Sequence, residues 1–192
     1  MMKCSRVTDA AFVHLRGIDS LIMKGFSQET ITDAAFVYLL KIQSFIMASF
    51  TQITDASFVH LYGIQDLDIS GCDQVTITDV VFVHLLGIQN LCMANCKQET
   101  IKDAAFVHLR GIHSLYMSHC KQATITDVAF VHLRGIQSLD ITLCIQITDA
   151  AFVHLSGIYT LNMTGCRQVT ITDATFLHLR GIRSLELSKL QP

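Results

Sequence analysis

Apolar and polar positions along this chain follow an order that returns again and again. In the stretch TDAAFVHLRGI, Thr8 to Ile18, Phe12 and Leu15 lie three residues apart and share one face of a helix. His14, two residues from Phe12, stands about 200° around that helix and faces away. After the glycine the spacing changes. Ile18, Leu21 and Met23 join Phe12 and Leu15 as inward positions, and the residue between Leu21 and Met23 faces the other way, as in a strand. A short helix and then a short strand are therefore predicted. The same order starts again at Val7, Ile31, Ile53, Ile77, Ile101, Ile125, Ile147 and Ile171, giving eight units. The step is 24 residues except for 22 after Ile31 and after Ile125, where QITD replaces a longer string such as QVTITD. A fixed period of this size signals a stacked solenoid. One unit cannot bury its apolar wedge, but stacked units bury a continuous core. The missing dipeptide must fall in a loop.

Punctuation residues mark the unit. Asp9, Asp33, Asp55, Asp79, Asp103, Asp127, Asp149 and Asp173 open the helical phrase and are predicted to cap its orphan N–H groups. The Thr before each is the other possible cap, but Lys102 takes its place before Asp103, which favours Asp. Gly17, Gly63, Gly87, Gly111, Gly135, Gly157 and Gly181 close the phrase, as a left-handed helix cap requires, and Lys41 alone departs. A helix of about two turns does not stand alone in water, so packing must hold it.

The strand carries the family resemblance. IQDLDISGC places Ile64, Leu67, Ile69 and Cys72 in the pattern L-x-x-L-x-L-x-x-C. CIQITDAAFVHL, Cys144 to Leu155, follows the same frame, with Phe152 at the first helical Leu. This resembles the leucine-rich repeat, and within it the cysteine-containing subclass of F-box leucine-rich-repeat proteins. The resemblance covers essentially the whole chain. It implies a right-handed α/β solenoid, with a parallel sheet on the concave face and short helices on the convex face. Residues 1–192 are read as one domain of about eight units of 22–24 residues. Cys4 falls in the cysteine column, so the chain begins midway through a unit. It stops just after the last strand, and neither end shows the polar cap that solenoids need.

Composition excludes more than it assigns. Charged residues are 16% of the chain and the net charge is -2, which argues against nucleic acid. No apolar run approaches the roughly 20 residues of a membrane helix. The opening MMKCSRVTDAAF has no continuous apolar segment, so a cytoplasmic location is expected. The triplet NMT at Asn162 is accordingly a chance glycosylation match. Seven cysteines in such a chain read as free thiols.

Three columns invite chemistry. Cys4, Phe26, Phe50, Cys72, Cys96, Cys120, Cys144, Cys166 and Leu190 align, and the Phe and Leu members forbid a ligand role, leaving buried small hydrophobes. Cys92 lies off that column at an exposed strand position, as an inert surface residue or the best placed reactive thiol. Gln28, Gln52, Gln74, Gln98, Gln122, Gln146 and Gln168 are predicted to pair with loop backbone and with one another. His14, His60, His84, His108, His132, His154 and His178 line the helical side. With helices roughly 8–10 Å apart, bridging a metal is strained, and a repeated surface residue is the plainer reading. No nucleophile elbow, phosphate loop or calcium loop is present, so no enzyme and no cofactor are expected.

Variation between units is uneven. The outward strand position reads Ile22, Ile46, Asp68, Cys92, Tyr116, Asp140, Asn162 and Glu186, while the exposed helical positions keep Ala, Val and His. Lys24, Ala48, Ser70, Ala94, Ser118, Thr142, Thr164 and Ser188 lie two residues further on, and Asp19 to Arg183 vary just before the strand. Asp68, Cys92, Tyr116, Asp140, Asn162 and Glu186 are the expected partner-binding residues, on the concave face that the resemblance implies. The expected function is protein recognition, with the F-box likeness implying substrate recruitment for a ubiquitin ligase through a partner domain. The alternative is a structural array, or a fragment of a larger receptor-like protein.

Overall fold

The computed structural model describes residues 7–24, 30–166 and 171–188. Cys4, Phe26, Gln28, Gln168 and Leu190 of the columns above lie outside them. Eight strands form one parallel sheet in sequence order: β1 (Ser20–Ile22), β2 (Ser44–Ile46), β3 (Asp66–Asp68), β4 (Asn90–Cys92), β5 (Ser114–Tyr116), β6 (Ser138–Asp140), β7 (Thr160–Asn162) and β8 (Ser184–Glu186). Every neighbour pair is in register, with Leu21, Phe45, Leu67, Leu91, Leu115, Leu139, Leu161 and Leu185 in one row facing the core. A helical segment precedes each strand and closes the other side. Phe12, Phe36, Phe58, Phe82, Phe106, Phe130 and Phe152 are fully buried between the two layers. Phe176, in the last described unit, is exposed.

The helical phrase is tighter than the sequence pattern predicts. Asp9–Leu15, Asp79–Leu85, Asp103–Leu109 and Asp127–His132 are 3₁₀ helices, whereas Asp33–Phe36, Asp55–Phe58, Asp149–Phe152 and Asp173–His178 are short α-helices. Three residues per turn place Phe and Leu directly above one another. The two inward residues of each phrase suit that geometry as well as an α-helix. The closing glycine has the expected left-handed φ but belongs to a different device. Arg16 at φ -57°, ψ 127° and Gly17 at φ 81° make a type II turn, closed by Ile18 N–H donating to the Leu15 carbonyl at 3.1 Å. Nothing lies within 4 Å of a Cβ built on Gly17, so the turn's φ, not space, selects glycine. Lys41 makes the same turn at φ 70°.

The cap assignment is corrected. Thr32, Thr54, Thr78, Thr126, Thr148 and Thr172 are the N-caps, each accepting from the amide two residues on at 3.2–3.3 Å. The Asp carboxylates reach across to the next unit instead. Asp103 accepts from Thr126 N–H and Thr126 Oγ1, both at 2.7 Å, and Asp9, Asp33, Asp55, Asp127 and Asp149 bond the following Thr in the same way. Asp79 meets only the Lys102 amide, since Lys has no hydroxyl to donate. A single unit cannot reveal this, because the bond crosses the period. In unit-to-unit steps of the longer kind the extra dipeptide supplies a further rung: Thr76, Thr100 and Thr124 donate to the carbonyls of Ile53, Ile77 and Ile101.

The cysteine and glutamine columns are structural and point from rung to rung. Cys72, Cys96, Cys120, Cys144 and Cys166 donate Sγ–H to the carbonyls of Met47, Ile69, Met93, Met117 and Ile141 at 3.0–3.5 Å. Where Phe50 takes the column, it packs with Phe36 and Phe45 at ring-centroid distances of 6.4 and 6.1 Å. Gln74, Gln98 and Gln146 donate to carbonyls of the preceding unit, not to one another. Gln122 is buried with neither amide atom hydrogen-bonded.

Candidate protein-binding face

The strand register sets the site. Ile22, Ile46, Asp68, Cys92, Tyr116, Asp140, Asn162 and Glu186 form one continuous row on the outer side of the sheet. All six predicted contact residues are thereby neighbours, one per strand. At about 4.8 Å per strand they span about 24 Å. Two residues along a strand return to the same side, so Ser20, Ser44, Asp66, Asn90, Ser114, Ser138, Thr160 and Ser184 form a second outward row. Sequence reasoning missed that row because Ser recurs there like scaffold. The departures at Asp66 and Asn90 were the available signal.

Several of these side chains are held by hydrogen bonds within the chain. Asp68 Oδ1 accepts from Ser70 N–H at 2.9 Å and Asp140 Oδ1 from Thr142 N–H at 2.8 Å. Such short acidic side chains turn back on their own backbone, which fixes their rotamers. Asn162 accepts from the Thr164 amide and Thr142 Oγ1 and donates to Glu186 at 2.6 Å. Asn162 is thus tied on both amide atoms. Asn90 donates to Asp66. Tyr116 has no such tether and is 41% exposed.

Cys92 is half-buried, not exposed as the pattern predicts. Burial first, and then the Asp68 carboxylate, push its thiol above the ordinary value, which disfavours the thiolate needed for reactivity. The column thiols go further the same way. Burial raises Cys72 and Cys120 to about 12 and Cys166 to about 11.

Two depressions mark this side of the sheet. One, of about 170 Å³, is lined by Ile46, Asp66, Asp68, Leu91, Cys92 and Tyr116, among others. The other, of about 430 Å³, includes Gln89, His113, Gln137 and Tyr159 and shares Asn90 with the first. The Arg183 guanidinium lies over the Tyr159 ring at 4.7 Å.

The helical side has a repeated pattern of its own. His60, His84, His108, His132, His154 and His178 are half-buried there. Arg110 Nη2 approaches His132 Nδ1 at 3.4 Å, and Arg16 lies 5.2 Å over Tyr38, the residue that interrupts the His column. Burial first, and then the Arg110 charge, lower the His132 pKa, which favours the neutral imidazole. Among the described residues no three His, Cys, Asp or Glu side chains gather as a metal site. Among them, too, no helix is long and apolar enough to cross a membrane.

The chain matches the model of the BspA type leucine rich repeat region, in six copies, over residues 2–113 and 75–190. No curated protein matches it. Among solved structures it is similar to a TLR13–ssRNA13 complex (TM-score 0.72, 19% identity, 95% of this chain and 27% of that chain). It is also similar to the Rad7 and Elc1 complex of yeast (TM-score 0.64, 18% identity, 87% of this chain and 46% of that one). A third likeness is to the Toll–Spatzle complex of Drosophila (TM-score 0.56, 13% identity, 86% and 29%). The chain therefore spans under half the length of these neighbours. At such identities they share its fold, a leucine-rich-repeat solenoid with the sheet on the concave side.

Proposed function

Because the chain belongs to the BspA-type leucine-rich-repeat family, we propose that it is a binding scaffold that holds a protein partner on its concave sheet face through Asp68, Cys92, Tyr116, Asp140, Asn162 and Glu186. One observation carries this reading: the positions that differ most between units fall into a single in-register row, while the core row beneath stays apolar. Copied scaffold with a diversified face is how a repeat array acquires specificity. Among the neighbours, Rad7 is in complex with Elc1, Toll with Spatzle, and TLR13 with ssRNA13. For this chain protein is favoured over RNA, since Asp66, Asp68, Asp140 and Glu186 would repel phosphates.

The finer reading is substrate recruitment for a ubiquitin ligase. What favours it is the cysteine column, whose thiols hydrogen-bond from rung to rung. The six free thiols among the described residues also suit a reducing cytoplasm. The test is quantitative capture of interacting proteins by the parent chain and by variants. Tyr116→Ala and Asp140→Lys are expected to reduce capture while moving the thermal midpoint little, exposed changes costing under about 0.5 kcal/mol. His108→Ala, on the helical side, is expected to leave capture intact. The reverse pattern would move the functional surface to the helices, and unaltered capture in all three variants would favour an inert array. Co-purified ubiquitin-ligase subunits would support the finer role.

A further inference from the structure

The smaller concave depression has a distinctive make-up. Its lining is mostly apolar, with Ile46 and Cys92 beside the backbone of the Leu67 and Leu91 rungs, whose side chains point to the core. Two carboxylates, Asp66 and Asp68, stand on its rim, and the exposed Tyr116 ring forms one wall. At about 170 Å³ it is smaller than the roughly 300–1,000 Å³ of small-molecule sites, and matches one inserted side chain. A Lys or Arg side chain has the complementary build, an apolar stem carrying a cationic head that stays at the polar edge. The rim carboxylates are partly engaged, Asp68 by the Ser70 amide and the neighbouring Cys92 thiol, and Asp66 by Asn90. Each retains acceptor capacity for a charged donor. The Tyr116 face adds an attraction for a cation that no aliphatic wall would supply. The surrounding charge agrees. Among the described residues, the two strand rows carry Asp66, Asp68, Asp140 and Glu186 and no Lys or Arg.

We infer that this depression receives one Lys or Arg side chain from a basic, extended segment of the partner protein, with Asp66, Asp68 and Tyr116 as its recognition residues. The assignment rests on the concave-face reading and names the partner's chemistry. The segment crosses the rungs toward β6 and β7, where the second depression adjoins at Asn90 and offers Gln137 and Tyr159 as polar contacts.

The experiment is selection from a phage-displayed library of random dodecapeptides on the immobilised full chain. Enriched peptides are then measured by fluorescence anisotropy. They are expected to share a Lys or Arg and to lose about tenfold or more in affinity for Asp66→Asn/Asp68→Asn, the scale of a lost charge-assisted hydrogen bond. Tyr116→Leu, which keeps apolar area without the ring, is expected to weaken them as well. Asp73→Asn removes a charge from an exposed loop and is expected to leave affinity unchanged. Peptides without a basic residue that still lose affinity with Asp140→Lys would keep the concave reading and overturn this one. Peptides sensitive only to His108→Ala would overturn both. Equal weakening by Asp73→Asn would reduce the effect to net charge and overturn the anchor, as would a selection that enriches nothing.

Discussion

Single residues in this solenoid are chosen by the rung above as much as by their own unit. The thiols show it most simply. A cysteine sulfur is a weak donor, yet each one in the column meets the carbonyl just past the strand of the preceding unit. Its burial was legible in the sequence from the Phe and Leu substitutes, but its hydrogen bond was not, because the acceptor is 25–27 residues away. Lys41 is the converse case, a position where the sequence flagged an anomaly and the geometry explains it. Its φ of 70° falls where seven other units place glycine at φ 81–87°. The strain of a side chain there is about 1–3 kcal/mol, and glycine gives back about 0.5–1 kcal/mol through its freer unfolded state. Strain wins, so Lys41→Gly is expected to stabilise the chain by about 1 kcal/mol. The measurement is the urea midpoint, and an unchanged or lower midpoint would show that the turn holds Lys without strain.

At the scale of the element, the helix opening is where sequence reasoning was half right. Asp at the first helical position is in keeping with the positive end of a helix, and from one unit alone it reads as the cap. In the fold Thr is the cap and Asp bonds the neighbouring unit, so a Thr–Asp pair in one unit serves two junctions. Lys102 misled because losing one Thr leaves the Asp of that unit fully employed toward Thr126. Asp103→Ala removes two charge-assisted bonds and strands a part-buried amide, for an expected loss of about 1.5–3 kcal/mol. The better helix propensity of Ala returns only a few tenths of that, up to about 0.7 kcal/mol. The discriminating measurement is a double-mutant cycle with Thr126→Val by chemical denaturation. Coupling of at least about 0.5 kcal/mol is expected across the unit boundary. Additive losses would return Asp103 to the role of a cap for its own helix.

On the scale of the whole molecule, period, core row and outward row were all legible, because each recurs at a fixed offset that eight copies reinforce. The depression at Asp66 and Asp68 was not, since it needs side chains from neighbouring strands whose register is set only in the folded sheet. The Asp–Thr bonds also run along the helical side from Asp9 to Thr172, and they give the coil a pH response whose sign follows from the carboxylates. Burial pushes the Asp33 carboxyl up, but hydrogen bonds from Ser57 and Thr54 outweigh it, and the pKa falls below the ordinary 3.8. Asp149 falls below 3.8 through its bonds from Thr172 and Thr175. With folded values below the unfolded one, the native state releases protons that the unfolded chain retains. That stability is present above about pH 4 and is lost as pH drops through the lowered folded values. His132 adds an earlier, shallower loss. Its folded pKa lies below 6.5, so the fold favours the neutral ring and loses that contribution as pH falls from 6.5 through the lowered value. A thermal-midpoint profile from about pH 7 to about pH 2.5 is therefore expected to decline gently first and steeply below about pH 4. His132→Asn is expected to flatten the gentle arm alone, and Asp33→Asn with Asp149→Asn to shallow the steep one. If the acid arm keeps its full slope in the double Asn variant, these two carboxylates do not set the acid limit of the coil, and its junctions are held chiefly by the buried Phe column.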